Sequence, residues 1–117
     1  MKISEIKKAL KAELLVGEEQ LDKNIVAAGG ADLMADVLSA VAQEAVLLTG
    51  LTTEQALRTA QISDVGCVVF VRGKKPGEKV LALARSFDLP VLITEYSLFV
   101  ASGRLYINGL RGLDGSW

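Results

Sequence analysis

The chain contains no histidine, and this absence excludes more chemistry than any other feature of its composition. Histidine is the commonest general base and the commonest metal ligand, so Ser-His and Cys-His nucleophilic sites cannot be assembled. With a single cysteine, Cys67, one chain can form neither an internal disulfide nor a structural zinc site. An enzyme built on this chain would have to use carboxylates, lysine or bound magnesium.

Aromatic residues are also scarce, at 5% of 117 residues, although 50% of the chain is hydrophobic. The core must therefore be built from Val, Leu, Ile and Ala, which is typical of parallel strands covered by helices. Cys67 lies within such an apolar segment, at 65–71, and is predicted to be a buried small residue in a reducing compartment. A chain of this length is expected to form one domain.

Neither a basic cluster nor a long apolar run is present. Thirteen Lys and Arg against 14 Asp and Glu give a net charge of -1, and basic residues are no more concentrated than the pairs 7–8 and 74–75. We therefore expect no nucleic-acid partner, and no membrane span, which would need about 20 consecutive apolar residues. The charged segment 1–15 does not resemble a signal peptide. These features predict a cytoplasmic protein, and the near-zero net charge favours a homodimer.

What the sequence does contain is a repeated alternation of short apolar runs and amphipathic helices. Strands are predicted at 14–16, 25–28, 45–49, 68–71 and 89–94. This order predicts a single three-layer α/β/α domain over residues 1–110, with a mostly parallel sheet of four to five strands. The glycine-rich residues 111–117 are predicted to form a flexible C-terminal tail.

The helices are predicted from their capping residues and their apolar stripes. Ser4 is expected to cap an opening helix of about three turns, and Thr52 with Gln55 has the spacing of a capping box. A third helix is predicted to start near Pro76. Another follows Asp32 as its cap, with an inward face of Leu33, Val37, Leu38 and Val41.

The last predicted helix runs from Ser97 to Leu105 and packs Leu98, Phe99 and Leu105 against the sheet. Gly103 weakens this prediction because glycine is a poor helix former. Residues 104–107 could instead form a strand.

The strand-to-helix junctions suggest where a ligand could bind. In a parallel sheet, the strand ends and the helix N-termini meet at one edge, which exposes N–H donors and partial positive charge. We predict a small-anion or nucleotide site there, formed by Gly29, Gly30, Asp32, Thr49, Gly50, Thr52, Arg72, Gly73, Lys74 and Lys75. The basic side chains would hold a phosphate or carboxylate, and the threonines would supply hydroxyl groups. The same residues also fit a purely structural interpretation, with glycines in turns, threonines as caps and solvated lysines.

No catalytic, cofactor or metal site is predicted. The segment 73–79 has three residues between its glycines where a P-loop has four, and glutamate follows. The pair Ser4 and Lys7 matches a serine-lysine pattern but lacks its companion motifs. Asp32 and Asp36 could bind Mg²⁺ together with a phosphate ligand, although an aspartate at 32 also suits a helix cap. Glu95, just after a strand, is one further candidate acid.

Several segments resemble the DRTGG-domain family: 14–22, 32–38, 69–76 and 89–92. The resemblance covers about residues 1 to 110. The chain is similar both to small stand-alone members of the family and to the amino-terminal domain of HPr kinase/phosphorylase. It implies a bacterial α/β/α domain of regulatory or oligomerising function. The segment 49–52 stands where the family has a Gly-Asp-Arg-like sequence, and the P-loop kinase domain of HPr kinase is absent.

These observations predict a non-catalytic regulatory or protein-interaction module that self-associates and has an anion or nucleotide site at its glycine loops. Expected partners are a second copy, another protein or a phosphate-containing small molecule. One alternative is a sensor whose function is to bind a nucleotide or phosphometabolite. Another is a magnesium-dependent enzyme that uses Asp32, Asp36 or Glu95.

Overall fold

The computed structural model describes residues 1–32 and 43–113. Four α-helices lie in these ranges: α1 (Ile3–Ala9), α2 (Glu54–Ile62), α3 (Glu78–Ser86) and α4 (Leu98–Ile107). The strands are β1 (Glu13–Val16), β2 (Ala27–Gly30), β3 (Ala45–Thr49), β4 (Cys67–Phe70) and β5 (Val91–Ile93). The helix predicted after Asp32 lies outside the described residues.

The five strands form one sheet in the order β1-β5-β4-β3-β2. Strands β2 to β5 are parallel to their neighbours, and β1 pairs antiparallel with β5. From β3 to β5, successive parallel strands are adjacent because the connections through α2 and α3 return the chain beside the strand it has just left. The prediction of a mostly parallel sheet is confirmed.

The buried side chains of the central strands alternate between two helix layers. Leu47 and Phe70 pack in a cluster with α2 and α3, whereas Leu48 and Val69 pack in a second cluster with α1 and α4. A strand whose two faces are both covered is mostly apolar, and all residues of β3 and β4 are buried, with Thr49 as the one polar residue among them. The three-layer α/β/α architecture is confirmed.

Two predicted helix starts are wrong in position. Lys2, not Ser4, precedes α1, where its backbone N–H donates to the Glu5 carboxylate at 2.7 Å. Thr53, not Thr52, caps α2, because its extended backbone lets its hydroxyl accept from Ala56 N at 3.2 Å. The first helix is also shorter than predicted, with seven residues, because Lys11 takes a left-handed conformation.

The last helix is confirmed as a helix through residue 107, so residues 104–107 are not a strand. Ser97 caps it by accepting from Val100 N at 3.2 Å, and Leu105 is buried as predicted. The predicted packing of Phe99 is wrong, since this residue is 86% exposed. At about 100° per residue, position 99 points away from the buried side of the helix that carries Ala101 and Leu105.

Lys11, just beyond the end of α1, is a residue that is unsuited to its backbone conformation. Lys11 has a φ of 48°, whereas α4 is followed by Gly109 at 107°. Because any residue with a Cβ atom is strained in the left-handed region, we expect Lys11→Gly to raise the free energy of unfolding by about 0.5–1 kcal/mol in urea titrations. Lys8→Gly, inside the same helix, is the control and should lower it by about 1 kcal/mol. Equal destabilisation by both changes would contradict the prediction.

Candidate functional site

The carboxyl ends of β3, β4 and β5 lie side by side, and this edge is named here the carboxyl edge. Thr49 pairs with Phe70, and Phe70 pairs with Ile93, so the loops that follow these strands start next to one another. After β4 the chain enters α3 on one face of the sheet, and after β5 it enters α4 on the other. Ligands of parallel α/β sheets bind where neighbouring connections diverge in this way.

An anionic oxygen already occupies part of this edge, and it belongs to the chain itself. Oδ1 of Asp32 accepts hydrogen bonds from Gly50 N at 2.8 Å and from Thr49 Oγ1 at 3.1 Å. The Gly50 hydrogen bond is the main cause that lowers the pKa of the Asp32 carboxyl; burial opposes it, while Thr49 and the positive charges of Arg72 and Lys74 lower it further. The strand end therefore binds a carboxylate in the absence of any ligand.

The Arg72 side chain is held over this strand end by a tight turn. Arg72 and Gly73 both have left-handed backbone conformations, at φ 60° and 65°, and Lys74 N donates to Val71 O at 3.2 Å. The guanidinium lies so close to Gly50 that a Cβ there would collide with it. The sequence prediction that Gly50, Arg72, Gly73 and Lys74 lie at one edge agrees with these contacts.

The turn is fastened to the loop that follows β5. Arg72 N donates to Tyr96 O, and Gly73 N donates to Thr94 O, both at 2.8 Å. The carboxylate of Glu95 fills the space in which a Gly73 side chain would stand. Two carboxylates, from Asp32 and Glu95, thus flank the basic turn. Glu95 is the one residue of this loop that the sequence predicted as a candidate. The contacts of Thr94 and Tyr96 with the turn could not be predicted, because they depend on β5 being the neighbour of β4 in the sheet.

Other predicted site residues have different surroundings. Gly29 faces the Leu113 side chain, and Gly30 faces Leu98 of α4, with no room for a Cβ in either place. Thr52 is partly exposed and Lys75 is exposed. The part of these residues in ligand binding stays a prediction.

The end of the described chain lies beside β2. Ala28 N donates to Arg111 O at 2.9 Å, and Ala28 forms a parallel bridge with Gly112. Residues 111–113 therefore follow the edge of the sheet. The division into a domain over 1–110 and a tail over 111–117 stays a prediction.

A groove of about 880 Å³ runs along the edge strand β1, on the other side of β5 from the basic turn. Its charged lining residues are four acids and two bases: Glu13, Glu18, Glu19, Asp88, Lys7 and Arg85. The pairing register of β1 shifts between Leu14 and Val16, which disturbs the strand edge that a peptide would need. This groove suits a phosphate ligand less well than the basic turn does.

Within residues 1–32 and 43–113, no group of three or more acidic or cysteine side chains is placed to hold a metal ion. The predicted magnesium pair includes Asp36, which lies outside these ranges. Burial raises the pKa of the Cys67 thiol to about 12, so this residue stays protonated inside the core. The prediction that Cys67 is buried is confirmed. No helix in the described ranges combines the length and apolarity that a membrane crossing requires.

Comparisons with known proteins agree on one kind of domain. The sequence model of the DRTGG domain matches residues 5–106. A solved structure of similar fold is the crystal structure of the CBS and DRTGG domains of the regulatory region of Clostridium perfringens pyrophosphatase, complexed with its activator, diadenosine tetraphosphate. The TM-score is 0.75 at 17% sequence identity, and the similarity covers 89% of this chain but only 45% of that one. No curated protein sequence matches the chain.

Proposed function

Since the chain belongs to the DRTGG domain family, we propose that it is a non-catalytic regulatory module that binds a phosphate-containing small molecule at the carboxyl edge. A nucleotide is the favoured ligand class, because the structurally similar regulatory region is complexed with a dinucleoside tetraphosphate. We also propose, from its composition, that it acts in the cytoplasm.

The observation that carries this proposal is the bound Asp32 carboxylate. Gly50 N and Thr49 Oγ1 donate to one oxygen of this group, which shows that the donors converge on an anion. A phosphate carries more charge and more acceptor oxygens than a carboxylate, and the Arg72 guanidinium is suited to bind it in a bidentate manner. In our proposal the ligand phosphate takes the place of Asp32, so that binding is coupled to release of this residue from the end of β3.

The backbone of Arg72 is consistent with this proposal. Glycine and asparagine adopt a φ of 60° more favourably than arginine does. The arginine side chain does not form the local hydrogen bond to the backbone by which asparagine compensates for this conformation. Strained positions cluster at active sites, ligand clamps and switch regions, although Lys11, Glu44, Asp64 and Asp88 share this conformation in the present chain. The guanidinium over Gly50 stands directly beside the donors of the strand end.

A binding experiment with a paired control tests the site. We expect AMP, ATP, diadenosine tetraphosphate or inorganic pyrophosphate at millimolar concentration to raise the melting temperature of the protein, because a ligand of the folded state stabilises it. Replacing both Lys74 and Lys75 by alanine should remove most of this shift. Replacing Lys7 and Lys8, an exposed pair of equal charge on α1, should leave the shift intact.

Two outcomes would overturn parts of the proposal. If none of these compounds stabilises the wild-type protein, the ligand-binding function is wrong. If the shift is undiminished in the Lys74 and Lys75 variant, the ligand binds at a different place.

A second function, protein interaction through self-association, is favoured by one separate observation. Phe99 and Ile107 on α4 are 86% and 84% exposed, although both are large and apolar. Regulatory modules commonly act through contacts with other chains. We therefore include homodimer formation in the proposed function.

A further inference from the structure

The groove along β1, named here the β1 groove, lies at the open end of the α/β/α sandwich. Its apolar floor is formed by four partly buried residues, Leu14, Leu15, Val16 and Leu21. Leu15 and Val16 pack with the cluster of α2 and α3, whereas Leu14 and Leu21 pack with the cluster of α1 and α4. Both helix layers therefore border the groove. Within the described part of the chain, β1 has a strand neighbour on one side only, and the groove follows its other side.

The rim of the β1 groove is acidic. Four acids against two bases leave its lining with a net charge of -2, in a chain whose total net charge is -1. One of the two bases, Arg85, is already paired with Glu78 at 3.3 Å. Glu13, Glu18 and Glu19 are exposed, and none of them forms an ion pair with another described residue. The groove therefore presents unpaired carboxylates beside an apolar floor.

Two of these carboxylates lie on a segment that is fixed at both ends. Gly17, with a φ of 99°, turns the chain after β1, and a Cβ there would collide with the proline that precedes β5. Gln20 binds the end of α3, since its Nε2 donates to Asp88 O at 2.9 Å and to Asp88 Oδ1 at 3.1 Å. Glu18 and Glu19 lie between these points, in a short 3-10 helix. A rim that is ordered before binding loses less entropy when a partner binds.

The geometry of the β1 groove suits a helix better than an extended peptide. An added strand would have to pair with β1, whose register shifts between Leu14 and Val16. A helix satisfies its own backbone hydrogen bonds and needs none from this strand. Two turns of a helix about 10 Å wide occupy about 850 Å³, close to the groove volume of about 880 Å³.

We propose that the β1 groove binds an amphipathic basic helix of a partner protein. Helices bind in grooves through apolar residues at spacings of three and four, which here contact the leucines of the floor. Lysine or arginine beside those residues forms charge-assisted hydrogen bonds with Glu13, Glu18 and Glu19. The groove lies on the other side of β5 from the basic turn, so a helix bound there leaves the proposed ligand site open.

The first test uses a synthetic probe. A fluorescein-labelled peptide of about 14 residues, with leucine on one side of the helix and lysine on the other, is titrated with the full chain at low salt. Fluorescence anisotropy should show binding that weakens as salt is added. Two control peptides should bind at least tenfold more weakly: one has glutamate in place of lysine, and the other has two central prolines that prevent helix formation.

The second test places the probe in the groove. Glu18→Lys with Glu19→Lys should abolish binding of the leucine-lysine peptide and create binding of the leucine-glutamate peptide. Replacing both glutamates by glutamine should weaken the leucine-lysine peptide about fivefold. Neither carboxylate is buried or ion-paired among the described residues, so these variants should keep the circular dichroism spectrum of the wild type. Glu54→Gln with Asp64→Asn removes two charges at α2 and is the control, with unchanged affinity expected.

NMR spectra of the nitrogen-15-labelled chain give an independent location. The largest chemical-shift changes with the peptide should fall within residues 12–21 and 85–88. Changes concentrated elsewhere, equal binding of the proline peptide, or undiminished binding in the charge-reversed variant would each overturn the proposal. Spermidine that displaces the peptide at equal concentration would identify a site for small cations instead. Concentration-dependent shifts of the same residues without peptide would identify a second copy as the occupant, and either result also overturns the proposal.

Discussion

Replacing Asp32 by asparagine is expected to strengthen the binding of inorganic pyrophosphate about tenfold at low salt. Asparagine keeps an oxygen that can accept from Gly50 N and Thr49 Oγ1, but it removes the negative charge that interacts with Arg72 and Lys74. Two unit charges at about 4 Å interact by about 1 kcal/mol in water and about 4 kcal/mol near a protein surface. Asp32 is exposed, so the lower part of this range applies, and about 1.4 kcal/mol corresponds to a factor of ten.

The measurement is isothermal titration calorimetry of the wild type, Asp32→Asn and Asp32→Ala. Alanine removes the charge and also leaves Gly50 N and Thr49 Oγ1 free to donate to the ligand. The Asp32→Ala variant should therefore bind pyrophosphate at least as tightly as Asp32→Asn does. Asp64→Asn, which removes the same charge beyond the C-terminus of α2, is the control and should bind like the wild type. The gain should shrink as salt is added. Equal affinity in the wild type and both Asp32 variants would show that this carboxylate does not compete with the ligand.

The same carboxylate contributes to stability in a defined pH range. Its pKa in the folded protein lies below the ordinary value of 3.8, so the folded state favours the ionised form. The contribution is present above pH 3.8 and is lost as the pH falls through the lower pKa of the folded state. The stability difference between the wild type and Asp32→Asn should therefore disappear in acid.

The largest expected loss of stability comes from Phe70→Ala. Phe70 is fully buried at the end of β4, in the cluster that joins α2 and α3 to the sheet, and Thr94 N donates to its carbonyl oxygen at 2.9 Å. Truncating a buried phenylalanine costs about 3–5 kcal/mol, of about 5–15 kcal/mol in total for a domain. Guanidinium titration measures the change.

Phe99→Ala is the matched control, with the same substitution at a residue that is 86% exposed. Measured at a concentration below that of dimer formation, it should change the free energy of unfolding by no more than about 0.5 kcal/mol. Similar losses for both variants would contradict the assignment of Phe70 to the core and of Phe99 to the surface.

Much of the fold could be predicted from local patterns. Segment 68–71 is apolar at every position and segment 45–49 at every position except Thr49, which is typical of strands covered on both faces. Cap positions were less predictable, since adjacent residues such as Thr52 and Thr53 have the same chemistry. Only the backbone path decides which hydroxyl reaches the helix N–H groups.

Part of the candidate site was also predictable. Residues that follow parallel strands meet at one edge in any such sheet, so Gly50, Arg72 and Lys74 could be placed together from sequence. The position of Glu95 against Gly73 could not, because it depends on the order of strands in the sheet. The packing of Phe99 against the sheet was wrongly predicted. An apolar residue in a helix can be buried within its own chain or at a contact with another chain, and its sequence position does not distinguish the two.

The sequence by itself determined the α/β class, the parallel strands and the family, because these depend on periodicity and on short runs of fold-forming residues. It also determined that histidine-dependent chemistry is absent. Only the tertiary structure decided that Asp32 binds Gly50 and Thr49, and that Phe99 and Ile107 of α4 are exposed. Both facts depend on distances between residues that are remote in the chain or on the rotation of a helix, and neither quantity is encoded in local spacing.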